Sequence, residues 1–101
     1  MNDSATKVYD IVALIPKGKV ATYGMIARLS GVKNPRLVGS LLHKNPDPIS
    51  IPCHRVVNAQ GKLAQTFAFG GAMAHAKKLQ KERVEVKNGT VDLSRFLWKT
   101  G

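Results

Sequence analysis

The sequence predicts a mainly α-helical fold with short β elements, a winged-helix-like helix-turn-helix domain. Three observations carry that expectation. Val8, Ile11, Val12 and Ile15 recur at helical spacing. Two helix start signals, Thr22 and Asn34-Pro35, fall on either side of a short Gly-containing turn. Near the end, "VEVKNGTVDL" reads as two short strands about an Asn88-Gly89 turn.

Taken in order, the i, i+3, i+4, i+7 set from Val8 to Ile15 marks an amphipathic first helix that Asp3 or Ser4 could cap, and "PKGK" at Pro16 to Lys19 ends it. The apolar "VAT" leads to Thr22, an N-cap for a helix from Tyr23 to about Ser30 with Ile26 and Leu29 inward. "GVKN" makes the turn. Asn34 then caps a third helix with proline at its first position, running to about Lys44, and "NPDP" closes it. Two helices joined this way suggest helix-turn-helix. On the third, Val38, Leu41 and Leu42 form a core stripe, whereas Arg36, Gly39, Ser40 and His43 face away. Gly39 and Ser40 are small enough for a nucleic-acid backbone to come close. The plainer alternative is that Gly39 accommodates a neighbouring helix.

After Pro48 the character changes. "ISI" and "HRVV" look like short strands around Pro52-Cys53, "NAQG" like a turn, and Ala64 to Gly71 like a loop carrying Phe67 and Phe69. Ala72 to Arg83 is helix-forming, and Phe96 and Trp98 are expected to dock a tail onto the core.

Length and composition bound the function. The 101 residues, 44% hydrophobic and 22% charged, suit one globular domain spanning 1–101. No apolar run approaches a bilayer span, "MNDSATK" has no signal-peptide pattern, and a lone cysteine allows no internal disulfide. A cytoplasmic monomer, away from membranes, is the expectation. Lys and Arg number 16 against 6 acidic residues, a formal net charge of +10. A field of that size in a small domain favours a polyanionic partner, most simply nucleic acid. The bland alternative makes Lys77, Lys78, Lys81 and Lys87 a solvated face.

The only cysteine stands in "IPCHRVV", Ile51 to Val57. A nucleophilic thiol needs a positive or proton-accepting neighbourhood, and His54 and Arg55 follow it. In an extended segment, however, adjacent side chains point to opposite faces, so a turn at Pro52 or a bridging water would be required. A carboxylate holding the imidazole would complete a nucleophile–base–orienter set, and Glu82 and Glu85 lie near the end of the last long helix. Equally, Cys53 could be a buried inert residue beside an arginine salt bridge. His43, His54 and His75 are scattered without ligand spacing, so no metal is expected.

"IPCHRVV" resembles the active-site motif of the O6-alkylguanine-DNA alkyltransferases, or methylated-DNA–protein-cysteine methyltransferases. "GKVATYGMIA" is similar to the segment bearing that family's tyrosine, matching Tyr23. "RLVG" resembles the start of its recognition helix, with the arginine finger at Arg36. "KNPDPISIPCHRV" places Asn45 a short turn before the nucleophile, and "KLQKE" places Glu82 where the family has the glutamate that orients the histidine. The resemblance covers nearly the whole chain, as the DNA-binding and catalytic domain without the amino-terminal domain that many members carry.

It implies a DNA repair protein that flips O6-alkylguanine from the duplex and moves the alkyl group irreversibly to Cys53, each molecule acting once. His54, through a water and held by Glu82, would take the thiol proton. Tyr23 would stabilise the leaving base. Arg36 would fill the vacated space from a helix in the minor groove, its face kept flat by Gly39 and Ser40. Asn45 would fix the loop before Cys53, and Ser4 is a candidate phosphate contact. No cofactor is implied.

Three features depart from the pattern. The turn before Arg36 is one residue shorter. "TFAFGG" replaces Tyr-Ser-Gly-Gly after the active site, so Phe67, Ala68 and Phe69 lack the serine-type donor, and the loop is longer. The ending "GTVDLSRFLW" is similar to the alkyltransferase-like proteins, a sister branch with tryptophan in place of the cysteine. That branch binds alkylated DNA without repairing it and flags it for nucleotide excision repair, whose proteins would then be a further partner class. The expectations therefore rank as suicidal alkyltransferase, lesion-recognition module, and helix-turn-helix regulator.

Overall fold

The computed structural model describes residues 4–47, 49–63 and 71–99. Five α-helices, two pairs of two-residue strands and one 3-10 turn are found among them, so the mainly α expectation holds. The first helix, α1, spans Ser4–Ala13, with Val8 and Val12 buried. It stops two residues before Ile15, which is buried from the following turn instead. Helix α2 is Tyr23–Ser30, and Thr22 caps it by accepting from the Met25 N–H at 3.1 Å. Gly31 closes it in the left-handed region at φ 75, where a side chain would be strained. Leu29 is not inward as the spacing suggested. Ile26, Ala27 and Ser30 take that face, and the Ser30 hydroxyl satisfies itself on the Ile26 carbonyl at 2.7 Å. Helix α3 is Pro35–His43, capped by the Asn34 side chain, which accepts from Arg36 N–H at 2.9 Å. The three helices pack on one another as a helix-turn-helix bundle.

The rest of the chain is tied to this bundle by a strand pairing that local pattern does not announce. Strand β1 (Ala21–Thr22) pairs in parallel with β2 (Val56–Val57), Ala21 opposite Val56. Because successive side chains in a strand point to opposite faces, Val56 enters the cluster of Val8, Val12, Ile26, Val38 and Leu42. Val57 enters a second cluster with Val20, Leu79, Val84 and Val91. The short β1–β2 pair is thus the seam between two cores, with Ala21, Val56 and Val57 buried and Thr22 partly so.

Helix α4 covers Gly71–Lys81. Strands β3 (Val86–Lys87) and β4 (Thr90–Val91) form the expected hairpin, with Asn88 and Gly89 both at positive φ (55 and 71), as a type I′ turn demands. Gly61 lies so close to the hairpin that a β-carbon there would stand 2.2 Å from the Val91 carbonyl oxygen. A short helix, α5 (Leu93–Phe96), leads to the tail, which runs beside Val20: Val20 N–H donates to Phe96 O at 2.8 Å and Trp98 N–H to Val20 O at 2.7 Å. Phe96 and Trp98 pack on the second and first clusters respectively, as expected.

Two strand expectations are corrected. "ISI" is a turn, because Asp47 captures it: its carboxylate accepts from Ile49 N–H (3.3 Å) and Ser50 N–H (3.2 Å), and its carbonyl from Ile51 N–H (2.9 Å). "HRVV" is extended only from Val56, since Cys53–Arg55 is a turn of 3-10 helix. Of the predicted loop from Ala64 to Gly71, residues 64–70, Phe67 and Phe69 included, lie outside the described residues, and Gly71 opens α4. No described helix is long and apolar enough to cross a membrane.

Candidate active site and nucleic-acid interface

The turn that carries Cys53 begins at Pro52. Its φ of −76 and ψ of 71 are those of an inverse γ-turn, closed by Cys53 N–H donating to Ile51 O at 2.7 Å. Proline favours this geometry because its ring already fixes φ near that value. The 3-10 turn follows, with Arg55 N–H on Pro52 O at 2.9 Å. Cys53 is consequently lifted out of an extended run and buried at the edge of the first cluster.

Asn45 braces this turn from below α3. Its amide donates to Ile51 O at 2.7 Å and its side-chain oxygen accepts from Asp47 N–H at 2.9 Å, so a buried polar side chain is satisfied at both ends. From the other side come α4 and the residue after it. Glu82 Oε1 lies 3.0 Å from His54 Nε2, though the approach is off the axis of a well-aligned hydrogen bond. The same carboxylate takes a two-pronged grip from Arg55, with Nε on Oε1 at 2.9 Å and Nη2 on Oε2 at 2.6 Å, and Arg55 Nη1 also donates to Ile15 O at 2.7 Å. Position near the helix end left Glu82 and Glu85 open, and the resemblance pointed to Glu82. Glu85 pairs instead with the exposed Arg95, at 2.7 Å.

The electrostatics follow from burial and from these contacts. Burial pushes the Cys53 thiol up, partly countered by the Asn45 side chain, the Lys78 charge and a backbone hydrogen bond. Burial pushes His54 down, with Glu82 opposing and the Arg55 and Lys78 charges adding to the fall. Burial alone would raise Glu82, but the hydrogen bonds from Arg55 and His54 hold its carboxyl below the usual range. At neutral pH the set is therefore a thiol, a neutral imidazole and a carboxylate. A carboxylate only accepts, so the imidazole proton belongs on Nε2 facing Glu82, which leaves Nδ1 as the basic nitrogen. That arrangement can take a proton, directly or through one water.

Tyr23 opens α2 and is half-buried. Burial first, then the nearby Cys53, raises its hydroxyl, so it remains a donor. A β-carbon at Gly39 would stand 3.8 Å from Tyr23 Cε1, an ordinary contact. The structure thus brings Cys53, His54, Glu82 and Asn45 together with Tyr23 within electrostatic reach. Arg36, Ser40 and His43 are exposed along α3, and Ser4 is exposed at the start of α1. Among the described residues no group of acidic, His or Cys side chains could hold a metal ion. The arginine salt bridge that the sequence offered beside Cys53 is present, and its partner is Glu82. The signal for Arg55 was its place directly after His54 and the shortage of acids, which makes one carboxylate serve two partners.

The model for the 6-O-methylguanine DNA methyltransferase DNA-binding domain matches residues 3–84. The chain belongs to this family. It is similar to alkyltransferase-like protein 1 of Schizosaccharomyces pombe, 36% identical over 106 residues that cover 98% of this chain and 97% of that protein. A crystal structure of S. pombe Atl1 in complex with damaged DNA containing O6-carboxymethylguanine superposes with a TM-score of 0.85 at 36% identity, covering 99% of this chain and 98% of that one. The methylated-DNA–protein-cysteine methyltransferase of Methanothermobacter thermautotrophicus is 33% identical over 86 residues, 85% of this chain but 44% of that protein.

Proposed function

We propose that this protein repairs O6-alkylguanine in double-stranded DNA by transferring the alkyl group to Cys53, with residues 1–101 acting as the DNA-binding and catalytic unit. The observation that supports it best is the Glu82 carboxylate 3.0 Å from the ring of His54, the residue that follows Cys53, because a module that only binds has no use for an oriented proton acceptor next to a cysteine. Duplex DNA would lie along α3 with the minor groove over Arg36, Gly39 and Ser40, and the excess of basic residues supplies the attraction. Arg36 would occupy the gap left by the flipped base.

The step balances as follows. His54 Nδ1 takes the Cys53 proton through a water. The sulfur attacks the alkyl carbon, the carbon–O6 bond breaks, and the electron pair leaves with the guanine. Tyr23 donates a hydrogen bond to the departing base, and Glu82 steadies the imidazolium formed. The guanine then takes up a proton in exchange for the one released by His54. Regenerating the thiol would require a thiolate to leave from an unactivated alkyl carbon, so the thioether persists and each molecule acts once.

A second reading, lesion binding without transfer followed by recruitment of excision-repair proteins, is favoured by the fuller match to alkyltransferase-like protein 1 and by a thiol that burial holds protonated. One experiment separates the two. Incubation with a duplex carrying one O6-methylguanine, followed by intact mass and peptide mapping, is expected to show one added CH₂ on the Cys53 peptide, absent with unmodified duplex and with Cys53→Ala. Lesion-dependent binding with no mass change would select the second reading, and binding indifferent to the lesion would leave only a DNA-binding regulator.

A further inference from the structure

One buried titratable side chain plays no part in the chemistry above. His75 lies on α4, is 1% exposed, and its Nε2 stands 2.7 Å from the backbone carbonyl oxygen of His54. A carbonyl can only accept, so His75 must carry its proton on Nε2 and donate. His75 and Glu82 are about two helical turns apart on the same side of the α4 segment. The first holds the backbone of the Cys53–Arg55 turn, and the second holds the side chains of His54 and Arg55. A single-turn 3-10 helix has few hydrogen bonds of its own, and the side chain of His54 can keep Nδ1 aimed only if the peptide that bears it is fixed.

We propose that His75 is a positioning residue for the alkyl-transfer step, its Nε2–H···O=C bond to His54 setting the orientation of the general base. Burial drives the His75 imidazole down to about 4 against the pull of the His54 carbonyl, so the ring stays neutral and the strut persists at every pH where DNA is handled. The neutral state also matters for His54, since a second positive charge beside the turn would oppose formation of the imidazolium.

The inference rests on alkyl transfer as the function, and its test is chosen to report on the strut even if no transfer occurs. In His75→Leu the donor is lost while a similar volume is kept; in His75→Gln an amide N–H can take the donor's place. For each, single-turnover transfer from an O6-methylguanine duplex is measured beside lesion-DNA affinity, and the tautomer and titration of the His54 ring are followed by nitrogen-edited NMR. His75→Leu is expected to transfer about ten- to hundred-fold more slowly at unchanged affinity, the penalty typical of a misplaced catalytic group, with His54 no longer held in one tautomer. His75→Gln should recover most of both. If transfer fails in the wild type while the His54 tautomer still responds to His75→Leu and is rescued by His75→Gln, the function is wrong and the strut stands. A wild-type His54 spectrum and rate in folded His75→Leu, or equal losses in Leu and Gln variants, would remove the positioning role.

Discussion

Glu82 serves two partners of different kinds. Arg55 offers a permanent charge in a planar fork, and His54 offers a ring that burial keeps neutral. If the fork were absent, the carboxylate would have only the poorly aligned imidazole, and burial would drive it toward its protonated form. Arg55 also reaches the Ile15 carbonyl, so it joins the turn after α1 to Glu82, just beyond α4, across the Cys53 turn. Lysine at this position keeps the charge but cannot span both carboxylate oxygens and the carbonyl. Arg55→Lys is therefore expected to cost about 2 kcal/mol in urea unfolding, in line with a lost hydrogen-bonded charge contact. It should slow transfer more than it weakens DNA binding. An unchanged midpoint would mean that the Ile15 carbonyl and Glu82 are equally well served by water.

At the scale of elements, the N-cap of α3 joins folding to recognition. The Asn34 side chain holds the Arg36 N–H, so the same short turn that starts the helix fixes where the exposed arginine emerges. Replacing it by alanine should cost about 1 kcal/mol, the usual value of an N-cap, and loosen the first turn. Lesion-duplex affinity is expected to fall with it, whereas Asn34→Asp should retain both. A melting loss without an affinity loss would detach Arg36 from recognition. These helix signals were readable in the sequence because they are local: Thr22 and Asn34-Pro35 act within three residues, and Asn88-Gly89 dictates its own turn. Cys53, His54, Glu82, Tyr23 and Asn45 were singled out through the resemblance to the alkyltransferase motifs, and the structure sets Glu82 beside His54 and Asn45 against the turn before Cys53. What local pattern missed depends on distant partners. The β1–β2 pair joins Ala21 to Val56, and neither strand has length enough to show alternation. "ISI" has strand composition but lies within reach of the Asp47 carboxylate, and Leu29 yields the inner face to Ala27 and Ser30. His75 looks like one scattered histidine until α4 is packed beside the turn.

Across the whole molecule, the polar groups that join the two cores are also those most sensitive to acid. His54 and His75 are both held below their ordinary values chiefly by burial, and Glu82 is held below its own by Arg55 and His54 against the effect of burial. For the histidines the unfolded chain binds protons more readily than the folded one. Their neutral burial is therefore without penalty above an unfolded value of about 6.5, and stability declines as pH falls below it. For His75 the decline continues down to about 4, with a slope approaching roughly 1.4 kcal/mol per pH unit. Glu82 acts in the same direction lower down: its contribution is complete above the unfolded carboxylate value and is lost as pH falls through the depressed folded one. Urea unfolding of the wild type between pH 7 and pH 5 should accordingly show a falling midpoint. In His75→Gln, which cannot titrate, the fall should be shallower, so that the two proteins converge or cross as the solution is acidified. Parallel curves would mean that His75 is protonated as easily inside the fold as outside it. The bond to the His54 carbonyl would then be made by a cation, contrary to the neutral clamp on which both the base and its support depend.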